Sequence, residues 1–198
     1  MMMLENMIWL NEPAQWTNTP NELTVVSDHD TDFWRETFYG FTHDTGHFLH
    51  REVVGDFTAT VTLSGDFTTL YDQAGLMVRA NKRTWMKTGV EYTDEALHLS
   101  TVITHGASDW SVMSLPRTPD EITMQVTRQG NALRTQYLQP QGMIGQWRML
   151  RLGHLPLEDS CQVGMMMCSP KRGGLRARFR DFSITPSQRI DLHPHQKH

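Results

Sequence analysis

YDQAGLMVRANKRTWMKTGVEY, residues 71–92, decides how the chain is read, and within it Trp85, Lys87, Gly89 and Glu91 fall at every second position. Successive side chains of a β-strand point to opposite faces, so these four share one face and Met86, Thr88, Val90 and Tyr92 share the other. An indole, a cation and a carboxylate on one face, with a glycine between the charges, suit the floor of a ligand groove. At ~3.3 Å per residue Lys87 and Glu91 stand about 13 Å apart along such a strand, so they flank a polar object rather than pair tightly. Trp85 would supply a flat apolar platform. The set suits a sugar, which has hydroxyl edges and an apolar C–H face. The competing reading is the solvated face of an edge strand, where Lys and Glu are ordinary. The indole on the same face favours the groove.

Period-2 alternation extends outward from this stretch. In 56–63, Phe57, Ala59, Val61 and Leu63 alternate with Thr58, Thr60 and Thr62, and in 121–127, Ile122, Met124 and Val126 alternate with Thr123, Gln125 and Thr127. Gly130 and Asn131 supply the positive φ of a tight hairpin into a strand carrying Leu133, Thr135 and Tyr137 on one face. Further strands are expected at 22–27, 34–39, 47–53, 73–79, 97–104, 110–115, 147–152, 162–168 and 175–184. Gly-containing breaks separate them, and no apolar stripe of period 3.6 exceeds two turns. Many short strands joined by tight turns predict an all-β, two-sheet antiparallel β-sandwich of jelly-roll type. One domain is expected over 1–186, with a loose tail over 187–198, where alternation and apolar content fade.

Composition narrows the function classes. For a chain of 198 residues, a net charge of −4 argues against a non-specific nucleic-acid binder, which would need a basic face. No apolar run is long enough for a membrane span, and MMMLENMIWLNEP lacks the basic start of a secretory signal. Cys161 and Cys168 would point to opposite faces of one strand, too far apart to bridge, so both are expected as buried, reduced thiols in a cytoplasmic protein.

Other segments offer site candidates. DHDTDFWRETFY, residues 28–39, places Asp28, Asp30 and Asp32 before Trp34 and Arg35. A calcium loop would need a glycine and a distal Glu that are missing, so the aspartates are read as turn caps, with Trp34 and Arg35 as a groove rim. THGASDW, 104–110, is read either as a hinge at Ser108 and Asp109 or as a loop presenting Asp109 and Trp110. Asp72 and Gln73 enter the AGLMV strand. His43, His47 and His50 would share a face only on a helix, which Gly46 and FLHREVV oppose, so no metal site and no cofactor are expected. No nucleophile elbow is present. Glycoside hydrolysis needs a second carboxylate beside Glu91, and Asp32, Asp72 or Asp109 would have to supply it from elsewhere. Arg176, Arg178 and Arg180 alternate with Leu175, Ala177 and Phe179, the pattern of a solvated outer face.

These residues carry a resemblance. TDFWRETFYG (31–40), GHFLH (46–50), GDFTATV (55–61), YDQAGLMVR (71–79), WMKTGVEY (85–92), VITHGASDWS (102–111) and VGMMMCSPKRGGLRARFRDFSI (163–184) resemble the domain of unknown function 1349 family. That family is often described as regulation-of-enolase proteins and placed among the concanavalin A-like lectins and glucanases. The resemblance implies a two-sheet jelly roll with a concave face, and a groove of Trp34, Arg35, Asp72, Gln73, Trp85, Lys87, Glu91, Asp109 and Trp110. One departure is LQPQGMIGQW (138–147), longer and more apolar than the hairpin expected after Tyr137. The resulting expectation is a lectin-like binder of a saccharide or sugar-derived small molecule. The alternatives are a glycoside-acting enzyme with Glu91 as acid or base, or a regulatory module with a protein partner.

Overall fold

The computed structural model describes residues 4–115, 119–139 and 146–187, together with Leu192. Most of the expected tail, and the centre of the 138–147 departure, lie outside the described residues. The described residues form sixteen strands. Seven make one sheet in the order β1 (Ile8–Leu10), β6 (His47–Val54), β15 (Ser160–Cys168), β8 (Gln73–Asn81), β9 (Thr84–Thr93), β10 (Ala96–His105) and β11 (Ala107–Ser114). Seven more make the other, in the order β14 (Trp147–His154), β13 (Ala132–Leu138), β12 (Ile122–Gln129), β7 (Phe57–Gly65), β16 (Arg176–Pro186), β3 (Leu23–Val26) and β2 (Gln15–Asn18). A separate hairpin joins β4 (Phe33–Arg35) to β5 (Thr42–Asp44). Every strand pairing is antiparallel. The protein is therefore the two-sheet antiparallel sandwich that the alternation predicts. No helix among the described residues is long and apolar enough to cross a membrane.

Alternation sets the core between the sheets. Phe57, Ala59, Val61 and Leu63 of β7 meet Ala74, Leu76 and Val78 of β8 and Met86 and Val90 of β9 in one buried cluster. On the outer face of the second sheet, Thr58 bonds Thr127 at 3.0 Å and Thr62 bonds Thr123 at 2.9 Å, so the threonines form cross-strand pairs. The arginines of β16 point outward, while Leu175, Ala177 and Phe179 are buried. Cys161 packs in the inter-sheet core, whereas Cys168 lies in a second cluster on the opposite face of β15. Both are free and buried, as the spacing predicts.

The first sheet is buried on both faces through β8, β9 and β10, which a simple half-buried strand would not be. The β4–β5 hairpin covers part of its outer face. Phe33 and Trp34 pack there on Phe48, Met77, Trp85, Val102 and Met166. Gly46 is required beneath them, because a Cβ would lie 2.4 Å from the Phe33 ring. Several polar ties hold the hairpin down. Arg79 grips Asp44 with two parallel bonds of 2.7 and 2.8 Å, Arg35 donates from Nε to the Gly106 carbonyl at 3.0 Å, and Asn11 donates to the Asp44 and Gly46 carbonyls.

Two local expectations need correction. The strand expected at 34–39 ends at Arg35, since Glu36 and Phe38 adopt positive φ and Gly40 follows at +70°, turning the chain toward β5. The hinge expected at Ser108 and Asp109 is instead strand, pairing with Thr104 and Ile103. The turn sits at Gly106, where φ is +81°.

Candidate functional site

Register decides what the concave face presents. One row runs His50, Gly164, Met77, Lys87, Val102, Trp110 across β6, β15, β8, β9, β10 and β11. The next is Phe48, Met166, Gly75, Gly89, Ser100, Val112, and beyond it Cys168, Gln73, Glu91, His98 and Ser114 stand side by side. Gly75 and Gly89 are partners, and a Cβ on Gly89 would lie 2.0 Å from the Ala74 carbonyl oxygen. The strands approach too closely there for any side chain, so none rises between Lys87 and Glu91.

On this face lies a cavity of about 130 Å³, with Lys87, Glu91, Gln73 and Val102 among its lining residues. Aromatic rings supply much of the wall: Trp34, Tyr39 and Phe41 from the β4–β5 hairpin, Tyr71 from the loop before β8, and Trp110 from β11. Tyr39 stacks on Phe41 at 5.2 Å, the Tyr39 and Tyr71 hydroxyls bond at 2.8 Å, and Tyr71 meets Trp110 edge to face. Asp32, Pro170 and Lys171 complete the rim. A larger depression of about 600 Å³, near Arg51 and Arg180, includes none of these residues.

The charges are built in rather than solvated. Lys87 is 3% exposed and donates to Asp32 Oδ1 at 3.2 Å, with its ammonium 5.8 Å from the centre of a Trp85 ring. Burial alone would lower the Lys87 pKa. The Asp32 carboxylate, followed by Cys168 and Glu91, outweighs burial and holds it above the ordinary lysine value. Glu91 is 4% exposed, and its Oε2 accepts from Ser100 Oγ at 2.5 Å and Trp110 Nε1 at 3.0 Å. Burial pushes its carboxyl above the ordinary range, and the opposing pull of Lys87, Ser100 and Trp110 does not cancel that. Both of its hydrogen bonds among the described residues go to Oε2, which leaves Oε1 unengaged. The Tyr71 hydroxyl is pushed up to about 12 by its bond with Tyr39 and by burial.

Of the nine residues proposed from sequence, Trp34, Gln73, Lys87, Glu91 and Trp110 meet at this cavity. The other four stand elsewhere. Trp85 is 1% exposed and buried beneath Phe33, 6.1 Å between ring centres, so it forms core rather than a stacking platform. Arg35 is turned to Gly106 and braces the hairpin. Asp72 is fully buried. It accepts from Ser169 Oγ, the Arg172 guanidinium and the Thr68 and Thr69 amides, and so anchors the loop that carries Pro170 and Lys171. Asp109 lies on the opposite face of β11 from Trp110 and pairs with Arg151 of β14 at 2.8 Å. The residues missed were Tyr39, Phe41, Tyr71, Val102, Pro170 and Lys171. Phe41 is two residues beyond Tyr39, and Tyr71 is next to the singled-out Asp72; those were the available signals.

His43, His47 and His50 serve other contacts. His47 bonds the Asn11 carbonyl at 2.7 Å and the Asp28 amide at 3.0 Å, while His50 stacks on Phe48 and His43 meets Phe41 edge to face.

Fold and concave face together define a concanavalin A-like β-sandwich. Within that class the chain belongs to the family described as "Protein of unknown function (DUF1349)", whose model matches residues 9–187. It is 41% identical over 185 residues to "Regulation of enolase protein 1" of Saccharomyces cerevisiae, covering 93% of this chain and 92% of that one. A crystal structure of a functionally unknown protein from the same yeast superposes with a TM-score of 0.88 at 40% identity, covering 93% of this chain and 98% of that one. A Bacteroides ovatus GH43 protein from a xyloglucan locus matches with a TM-score of 0.70 at 16% identity, over 91% of this chain but 36% of its own length. That likeness shows the fold alone.

Proposed function

We propose that this protein binds one sugar unit, or a polar molecule of that size, in the aromatic cavity over β8–β10. One observation carries the reading. Lys87 and Glu91, both almost fully buried, each keep hydrogen-bonding capacity toward a cavity walled by aromatic rings. Lys has three donors and Lys87 uses one; a carboxyl has two oxygens and Glu91 engages one. Apolar rings with a few convergent polar groups suit a pyranose or furanose, whose C–H face packs on indole or phenol while its hydroxyls meet charge. At about 130 Å³ the cavity has room for one unit at most, its outer edge protruding, and not for an oligomer.

Calorimetric titration with a panel of monosaccharides and short oligosaccharides tests this. Binding of at least one saccharide, weakened tenfold or more by Trp110→Ala, is expected. No heat from any saccharide would overturn the reading. A glycoside-acting enzyme is the second reading, favoured because Asp32 reaches the same cavity as Glu91. It requires turnover of a chromogenic glycoside that Glu91→Gln abolishes. Two buried free thiols fit a reducing compartment, and the cytoplasm is the location we assign.

A further inference from the structure

We infer that β11 is a self-association edge: two copies of the chain pair their β11 strands antiparallel, about a two-fold axis at Ser111, and join two seven-stranded sheets into one. The inference does not depend on what the cavity binds.

The first support is how the sheet edges are finished. An edge strand presents a row of unpaired N–H and C=O groups that templates another strand unless something blunts it. Each large sheet has two such ends, and three of the four are blunted. β1 has three residues and β2 four. β14 carries Arg148 and Arg151, and its register with β13 slips between Thr135 and Gln136. β11 differs. It runs eight residues in unbroken register with β10 and holds no proline and no lysine. Among the described residues its backbone pairs with β10 alone. Its one charge, Asp109, is matched by Arg151 at 2.8 Å.

The second support is apolar surface at the same place. Trp110 and Val112 share the concave face of β11, and both are exposed. Met149 and Leu152 are exposed on β14. Arg151 ties that strand to β11, donating to Ser111 Oγ at 2.8 Å. Four exposed apolar side chains therefore gather on two neighbouring edge strands, where scattered single ones would need no explanation.

The third support, self-complementarity, selects a second copy as the occupant. Antiparallel pairing about Ser111 sets Trp110 opposite Val112 twice, Ser108 opposite Ser114 twice, and Asp109 opposite Met113. Residues directly opposite share a face, so each exposed apolar residue gains a cross-strand partner, and aromatic with β-branched is a stabilising combination. The two Asp109 carboxylates stand four positions apart, about 13 Å at ~3.3 Å per residue, so like charges do not meet. The assembly also closes. The two β11 strands satisfy each other, and the joined sheet ends on both sides at the three-residue β1.

Sedimentation equilibrium of the full chain across a wide concentration range tests the inference. The mass should rise to a plateau at two chains. Val112→Lys adds to β11 the charge that blunts an edge, and should weaken association at least tenfold while the far-UV circular dichroism stays that of the unaltered protein. Ile8→Lys, at an exposed position on β1, should leave association intact. If the Val112→Lys variant misfolds, amide hydrogen exchange of the unaltered protein decides: those amides of 107–114 not bonded to β10 should gain protection as concentration rises. A single-chain mass at every concentration, a mass that grows without a plateau, a dimer that both lysine variants affect alike, or exchange over 107–114 that ignores concentration would overturn the inference.

Discussion

Lys87 and Glu91 stand four residues apart on the same face of β9, yet each is engaged by a different partner. Lys87 donates to Asp32 at 3.2 Å, and Glu91 accepts from Ser100 and Trp110. They act on each other through space, each shifting the other's ionisation.

That coupling predicts how Glu91 titrates. Its folded carboxyl lies above the ordinary value of about 4.3. Below that value the acid is protonated in both folded and unfolded chains, and the group imposes no penalty. As pH rises through the window up to the folded value, the unfolded chain ionises first, and stability contributed by Glu91 is lost. A carbon-13 titration of Glu91 should show a raised midpoint, and Lys87→Met should move it higher by removing the nearest cation. A midpoint at or below the ordinary value would refute the assignment.

Trp85 serves the core. With the ring 1% exposed, Trp85→Ala should cost about 3–5 kcal/mol in urea unfolding through the cavity it leaves. Trp110→Ala, at a side chain 39% exposed, should cost about 1 kcal/mol or less while weakening ligand binding. Equal stability losses for the two would contradict this division.

Gly89 tolerates no side chain. Its Cβ would meet the Ala74 carbonyl oxygen at 2.0 Å and the Gly75 Cα at 2.8 Å, so Gly89→Ala must push two central strands apart. Losses of about 1–3 kcal/mol or more are expected. Gly130→Ala, with open space around the Cβ but φ at +57°, should cost only about 1 kcal/mol by thermal unfolding.

Asp72 and Arg172 make a testable pair. Removing the guanidinium in Arg172→Met leaves a fully buried carboxylate with its amide and hydroxyl donors alone. Because Arg172 is itself 26% exposed, the loss belongs near the low end of the buried-pair range, about 3 kcal/mol. Amide hydrogen exchange should rise at Ser169, whose N–H donates to Thr31 Oγ1. Unchanged protection there would mean the loop is held by something else.

The parts of the site legible in the sequence are those set by local geometry. The alternation of β9 places Lys87 and Glu91 on one face whatever else the chain does, and the same argument separates Cys161 from Cys168. The fold class follows from repeating that period in strand after strand. Burial by distant segments is not local. Nothing in WMKTGVEY says that Phe33, some fifty residues earlier, will lie over Trp85. Asp72 finds Arg172 across 100 positions of chain. β1, β2 and β5 have three or four residues each, too few to display a period. The turn after Arg35 is hidden because Glu36 and Phe38, not glycines, take up the positive φ.

The β4–β5 hairpin also gives the concave sheet a direction. Jelly rolls with an uncovered concave face can let a polymer lie across every strand and be gripped anywhere along its length. Here Phe33 and Trp34 pack over Met77, Trp85 and Val102, and Trp110, Phe41 and Lys171 are among the residues that wall the cavity beside them. On the sugar-binding reading proposed above, the hairpin bars a polymer from lying across those strands, so the ligand is a single unit or the terminus of a chain.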